Sequence, residues 1–308
     1  MNPRLAAPKN NNTNSYNNKG INLLEMHFIK ANNDDDVLSE FADFLRVDRR
    51  LNENTIRRHL LEIRRLLKYA RFNVVNATRN DIRDYLKNFI GIPAGSYANI
   101  LKTLRLFYRE YLNRPEVIEG FKFPAKSINV NVNIPNKEQL KEFYESLDKP
   151  VARALFLLYA TSGLRKREVL NLRIGDIDFE KRMIIPNNNG NRTKRTWITF
   201  YNDEAAKAFK EYLGDWTKLD KNMKIFSKGV KYFVMKYRLW NKEKGIKISP
   251  QILREWFCNE MGKLGVADRY VDAFCGRVPR SILAAYYTDY SPEKLKEIYD
   301  KADLRILD

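Results

Sequence analysis

Apolar residues recur every three or four positions along much of this 308-residue chain, and one break in that rhythm divides it, between Phe121 and Pro135. There Asn alternates with Val and Ile, and Pro124 and Pro135 bracket the run. Residues before a proline are biased to extended conformations, so the segment reads as a linker, 121–135, between two bodies. The chain also exceeds what one hydrophobic core usually organises. The pattern therefore predicts a mainly α protein with one small β-hairpin, in the α+β class: a helical domain over 34–120 and a second domain over 136–308. Residues 1–33 open on an Asn-rich stretch with few large apolar side chains, which cannot offset the entropy of ordering and is expected to be a flexible tail.

In the first domain the acidic run Asp34, Asp35, Asp36 reads as a helix start, followed by Val37, Leu38, Phe41, Phe44 and Leu45. The next helix stacks Ile56, Leu60, Ile63 and Leu67 on one stripe, with Arg57, Arg58, Arg64, Arg65, Lys68 and Arg71 around the rest. A third should follow the cap Thr78 and carry Ile82, Tyr85, Leu86 and Phe89. A fourth should hold Leu101, Leu104, Phe107, Tyr108 and Tyr111 beside Lys102, Arg105 and Arg109. One basic face is ordinarily a solvated surface; two in one small module favour DNA. The whole chain agrees, with 56 Lys and Arg against 38 Asp and Glu and a formal charge of +18, a field that attracts polyanions. An anionic membrane is the rival, but no apolar run approaches the ~20 residues a span needs and no signal-peptide core opens the chain. The expectation is a soluble, cytoplasmic protein that binds nucleic acid.

The second domain should open after the cap Asn136 with Leu140, Phe143 and Leu147, then a strongly apolar helix over Val151–Ala160. Strand signals occur only at Arg182–Pro186 and Thr196–Tyr201, joined by a polar loop from Asn187 to Lys194. Helices are expected over 202–213, 229–243, 250–263, 268–275, 279–287 and 292–303. Cys258 and Cys275, 17 residues apart, fit neither a disulfide framework nor metal-ligand spacing and read as buried free thiols. The only histidines are His27 and His59, so the second domain works without imidazole.

Four clusters in that domain carry chemistry. The run Thr161-Ser162-Gly163-Leu164-Arg165-Lys166-Arg167-Glu168 sets a glycine turn before a helix and puts Arg165 and Glu168 on one face. Ser249-Pro250-Gln251-Ile252-Leu253-Arg254 starts another helix with a cap and an N1 proline, placing Gln251 with Arg254. Gly276-Arg277 and Tyr286-Tyr287-Thr288-Asp289-Tyr290 follow.

In this order the clusters resemble the tyrosine recombinases over nearly the whole chain, in particular the archaeal virus integrase branch. That family carries an arginine in a T-G-x-R-x-x-E-type segment, a lysine on a β-hairpin, an H-x-x-R helix, a histidine or tryptophan after a glycine, and a C-terminal tyrosine. The resemblance gives the first arginine to Arg165, the second to Arg254, the lysine to Lys194 and the nucleophile to Tyr287, which precedes Thr288. Gln251 and Arg277 stand where histidine, or histidine and tryptophan, are usual; both keep donors, and neither moves a proton as imidazole does. Asn189 is the other residue that the hairpin register allows at the lysine position, and Tyr286 and Tyr290 crowd the nucleophile; Glu168 reads as structural.

The chemistry accounts for these residue types. Attack on a phosphodiester gathers charge on its nonbridging oxygens, which guanidinium groups hold bidentately at any working pH. Nearby cations also favour the phenolate of a tyrosine whose ordinary pKa is ~10. What the resemblance implies is a site-specific recombinase acting through a 3′-phosphotyrosyl intermediate, integrating or excising a viral or plasmid element, without metal or other cofactor. Its partner would be double-stranded DNA at an attachment site, bound by a homo-tetramer. The last helix, with Leu295, Ile298, Tyr299 and Ala302, then either packs at home or docks on a neighbouring protomer. A type IB topoisomerase and a non-cleaving DNA-binding regulator are the alternatives.

Overall fold

The computed structural model describes residues 34–70, 72–125, 133–185, 198–277, 281 and 286–308. The chain divides into two compact units, one up to residue 129 and one from residue 130.

The first unit is helical: α1 (Asp34–Val47), α2 (Glu53–Tyr69), α3 (Arg79–Lys87), α4 (Ala94–Arg105) and the single turn α5 (Pro115–Ile118). Local signals set the starts. Asp34, Asp35 and Asp36 fill the first turn of α1, Asn52 accepts from Thr55 N–H at the head of α2, and Thr78 and Asp81 cap α3 reciprocally. The apolar stripes meet in one core that includes Phe41, Leu45, Ile56, Ile63, Ile82, Leu101, Leu104 and Phe107. Polar atoms drawn inside are paired: Tyr108 Oη donates to Val74 O at 3.0 Å and Tyr85 Oη to Glu62 at 2.7 Å. His59 shares a 2.7 Å hydrogen bond with Thr103, tying α2 to α4.

The fourth helix departs from the regular form expected of it. After Arg105 it widens over Leu106–Tyr111, and Leu112 N–H donates to Phe107 O five residues back. Phe107 and Tyr108 are adjacent in sequence and both fully buried.

The second unit begins with α6 (Lys137–Glu145), capped by Asn136, and α7 (Pro150–Ser162), the apolar helix at the centre of the core. Then come α8 (Lys166–Asn171), a sheet, α9 (Asp203–Leu213), α10 (Val230–Lys244), α11 (Pro250–Lys263), α12 (Asp268–Phe274) and α13 (Pro292–Ala302). Among the described residues the sheet has three antiparallel strands, one more than the two that the sequence signals. β1 (Ile177–Asp178) pairs with β2 (Met183–Ile184), which pairs with β3 (Thr199–Phe200) in the register Met183 with Phe200 and Ile184 with Thr199. A two-residue strand shows no alternation, so β1 left no pattern to read. Lys194, Asn189 and most of the helix expected over 279–287 lie outside the described residues, as does the Asn-rich tail.

The C-terminal segment packs within its own unit. Leu295, Tyr299, Ala302, Leu304 and Ile306 are buried, and Tyr299 Oη donates to Thr161 O at 2.7 Å. The buried Glu204 carboxylate accepts from Ile306 N–H at 3.0 Å, Leu307 N–H at 2.7 Å and the Asn202 amide at 2.7 Å. Arg182 bridges Asp203 and Asp300, joining the sheet to α13. Among the described residues, no helix is long and apolar enough to cross a membrane.

Candidate active site

The site is built around the end of α7. Gly163 closes that helix in the left-handed region, φ 66°, and a Cβ there would stand 2.6 Å from the Phe257 ring and 3.0 Å from Cys275 Sγ. Both the sign of φ and the missing volume require glycine. The chain can then turn at once into Arg165, the residue heading α8. Glu168, one turn on, accepts from Arg165 N–H at 2.6 Å and Nη1 at 2.8 Å, so one carboxylate fixes both the backbone and the guanidinium. Arg165 Nη2 reaches Gly276 O at 3.3 Å.

Arg254 enters from α11, which Ser249 caps and Pro250 starts. Its side chain is buried, 5% exposed, with Nη1 donating to Gly163 O and Nη2 to Cys275 O at 2.7 Å. Among the described residues its hydrogen-bond partners are main-chain carbonyls; no carboxylate lies within ion-pair distance. Burial above all, reinforced by Arg165 and opposed by the Cys275 sulfur, pulls Arg254 below the ordinary arginine value. A guanidinium nonetheless stays charged.

Arg277 follows the turn at Gly276, φ 59°. Its N–H donates to Asp272 O and its Nη1 to Asp272 Oδ1, both at 2.8 Å, while Nη2 lies 3.7 Å from Cys258 Sγ. Burial works against this charge, but the Asp272 carboxylate and the two sulfurs outweigh it and hold Arg277 above its ordinary value. Arg165 and Arg254 thus converge on the Cys275–Gly276 turn and Arg277 extends from it: the three arginines expected from the sequence are brought together. Gln251 sits at the exposed start of α11, its Nε2 donating to Glu255 at 2.9 Å.

Tyr286 and Tyr287 are 82% and 78% exposed, so exposure does not choose between them. Tyr290 is half-buried, its ring edge-on to Tyr270. Sequence reasoning missed Asp272 as the carboxylate that holds Arg277, and it missed the thiol pair: Cys258 and Cys275 Sγ are 3.3 Å apart, and Cys258 is only partly buried. The cap-type spacing of Arg165 and Glu168 was the one signal that a carboxylate would be committed to an arginine.

In the first unit, Arg57, Arg58, Arg64, Arg65 and Lys68 are exposed on α2, and Lys102 and Arg109 are exposed further along. Arg65 also pairs with Glu62 at 3.0 Å. Arg105 is committed elsewhere. Its Nη2 donates to Phe121 O at 2.7 Å and its guanidinium lies 4.3 Å from the Phe123 ring, so it anchors the chain leaving the module.

Residues 135–294 match the phage integrase family, and residues 37–116 match the phage integrase N-terminal SAM-like domain. The chain belongs to the phage integrase family. This integrase-family protein is 26% identical over 286 residues to the tyrosine recombinase XerA of Thermococcus onnurineus, covering 87% of this chain and 96% of that one. It is 25% identical over 305 residues to the tyrosine recombinase XerD of Yersinia pestis, covering 87% and 97%. In fold it is similar to a lambda integrase dimer bound to a COC′ core site, with a TM-score of 0.59 at 17% identity over 83% of this chain and 95% of that one. It is likewise similar to the Tn1549 transposon integrase in complex with circular intermediate DNA, with a TM-score of 0.57 at 16% identity over 85% and 98%. The protein is a tyrosine-type site-specific recombinase that acts on DNA. These relatives are archaeal and bacterial and do not single out the archaeal viral branch.

Proposed function

We propose that this recombinase integrates or excises a viral or plasmid element, with Tyr287 as nucleophile and Arg165, Arg254 and Arg277 as the clamp on the scissile phosphate. The observation that carries this reading is Arg254: a buried cation that, among the described residues, is held by two carbonyls with no carboxylate in ion-pair contact. An ion taken out of water without a counter-charge costs several kcal/mol, which an arriving phosphate offsets. A guanidinium has five N–H groups, so carbonyl-bound arginines can still donate to phosphate oxygens.

Tyr287 Oη attacks phosphorus, the 3′-phosphotyrosyl bond forms and the bond to the 5′ oxygen breaks. Lys194 gives that oxygen its proton, and the phenolic proton leaves to water or to the phosphate. The energy of the phosphodiester is kept in the covalent link, so a 5′ hydroxyl of another strand reverses the step without a nucleotide. Arg165, Arg254 and Arg277 act where charge develops, which is where fixed donors accelerate a reaction most. Arg57, Arg58, Arg64, Arg65, Lys68, Lys102 and Arg109 neutralise phosphates of the duplex at an attachment site. Strand exchange between two duplexes calls for four protomers, and any transfer of α13 between them must first free its buried face from its own unit.

A nicked duplex carrying the attachment site tests this. The protein should form a covalent adduct on it, and Tyr287→Phe should form none. An adduct that survives Tyr287→Phe moves the nucleophile to Tyr286 or Tyr290, and no adduct with the unaltered chain leaves a DNA-binding regulator. Arg165→Ala and Arg254→Ala should lower the cleavage rate by about 10²–10³, far more than binding; equal losses in both would remove them from the clamp.

A further inference from the structure

Cys258 lies on α11 one turn after Arg254, and Cys275 ends α12 immediately before Gly276 and Arg277. Their sulfurs are 3.3 Å apart as free thiols. Each is tied to the arginine cluster: Arg277 Nη2 approaches Cys258 Sγ at 3.7 Å, and Cys275 O receives Arg254. We propose that Cys258 and Cys275 form a peroxide-sensitive modification site, whose oxidation to a disulfide switches off DNA cleavage.

The arrangement supplies what the reaction needs. The attacking species is the thiolate, which a neighbouring hydrogen-bond donor and cations favour. The Cys275 thiol, followed by Arg277 and Arg254, lowers Cys258, while the same hydrogen bond and burial raise Cys275. Cys258 is also the more accessible of the two, so it is the sulfur a small oxidant meets first. Its thiolate attacks hydrogen peroxide, breaking the O–O bond to give a sulfenic acid and hydroxide. Cys275 sulfur then attacks the Cys258 sulfur, the S–O bond breaks, and the sulfenic oxygen leaves as water with the Cys275 proton. The hydroxide takes up the proton first lost by Cys258, so two thiols give up two electrons and two protons and one peroxide becomes two waters.

The consequence is geometric. A disulfide closes the sulfurs from 3.3 Å to about 2.05 Å, drawing α11 and the Cys275–Gly276 turn together. That turn supplies the carbonyls that receive Arg254 and Arg165, and the sulfur beside Arg277 becomes a neutral disulfide. Misplacement of catalytic groups by about 1 Å can cost about 10²-fold in rate.

The link to cleavage rests on the recombinase reading, whereas disulfide formation does not, and the experiment separates them. The reduced full-length protein is treated with hydrogen peroxide, quenched, and followed by intact mass, by peptide mapping and by adduct formation on the nicked duplex. The expected result is a loss of two hydrogens mapped to a Cys258–Cys275 cross-link, a fall of at least about tenfold in cleavage rate, and recovery with dithiothreitol. Cys258→Ser should show the same cleavage rate with and without peroxide, whatever its starting rate. Cys275→Ser should gain oxygen on Cys258 in place of the cross-link. No cross-link in the unaltered protein, or a cross-linked protein that cleaves at the reduced rate, overturns the proposal. An untreated, reduced protein that forms no adduct refutes the recombinase reading instead, while the mass result still tests the thiol site.

Discussion

Gly163→Ala tests how tightly the end of α7 is specified. A non-glycine residue in the left-handed region costs about 1–2 kcal/mol. The new Cβ would also stand 2.6 and 2.8 Å from two Phe257 ring carbons and 3.0 Å from Cys275 Sγ. Forcing a methyl into such a place typically costs about 1–3 kcal/mol. Together the loss is about 2–5 kcal/mol, a large share of the ~5–15 kcal/mol that holds a domain together. For a unit of this size that is roughly 4–20 °C in Tm. Urea and thermal unfolding measure it directly. Phe257→Leu, made alone and with Gly163→Ala, isolates the steric part: in the pair the two costs should sum to less than the single losses by about 1–3 kcal/mol. Because Gly163 O receives Arg254, cleavage should fall further than stability alone accounts for, at a temperature where both proteins are folded. Unfolding of Gly163→Ala within about 0.5 kcal/mol of the parent would refute the packing argument.

Three further outcomes are expected. Glu204→Ala leaves a buried N–H at Ile306 and a part-buried one at Leu307 without their carboxylate, so it should cost about 2–4 kcal/mol in urea titrations and speed hydrogen exchange at both residues; protection at the parental level would show that the segment is held by its apolar residues alone. Burial holds His59 below the ordinary imidazole range, so the unfolded chain binds its proton at higher pH than the folded one; stability is complete above about pH 6.5 and is lost as pH falls toward the folded value, and urea midpoints between about pH 7.5 and 5.5 should fall less for His59→Gln, equal falls contradicting this. Replacing Arg57, Arg58, Arg64 and Arg65 with Ala should weaken duplex binding and flatten its dependence on salt by about one unit of slope per lost phosphate contact; an unchanged slope would place these side chains away from DNA.

What could be read from the sequence was what local physics writes locally. Helix starts at Asn136, Thr78 and Ser249 follow from side chains that bond N–H groups within three residues. Helix bodies follow from apolar stripes. β1 is too short to alternate, and the widened turn at Leu106–Tyr111 keeps the apolar spacing of an ordinary helix, so neither leaves a pattern to read. The site divides in the same way. Arg165, Arg254 and Arg277 could be named from motif order, and Glu168 from helical spacing. The carbonyls that receive two of these arginines, up to 111 residues away in the chain, leave no residue-type signature. The cysteines show the limit most plainly: 17 residues of separation matches no metal or disulfide spacing rule, yet α11 and α12 bring their sulfurs into contact. Glu204 and the C-terminal segment, 102 residues apart, escaped notice for the same reason.

Two of the three clustered arginines lean on the peptide backbone. Any amino acid offers the same C=O, so the side chains around the Gly163 and Cys275–Gly276 turns can drift without dismantling the grip on Arg254, whereas Arg165 also depends on the Glu168 carboxylate. Neither Gln251, bonded to Glu255, nor the Arg277 side chain, bonded to Asp272, takes part in that grip. The substitutions the grip cannot absorb are those that change the path of the chain, and Gly163, which has neither the φ nor the room for a side chain, is the first of these.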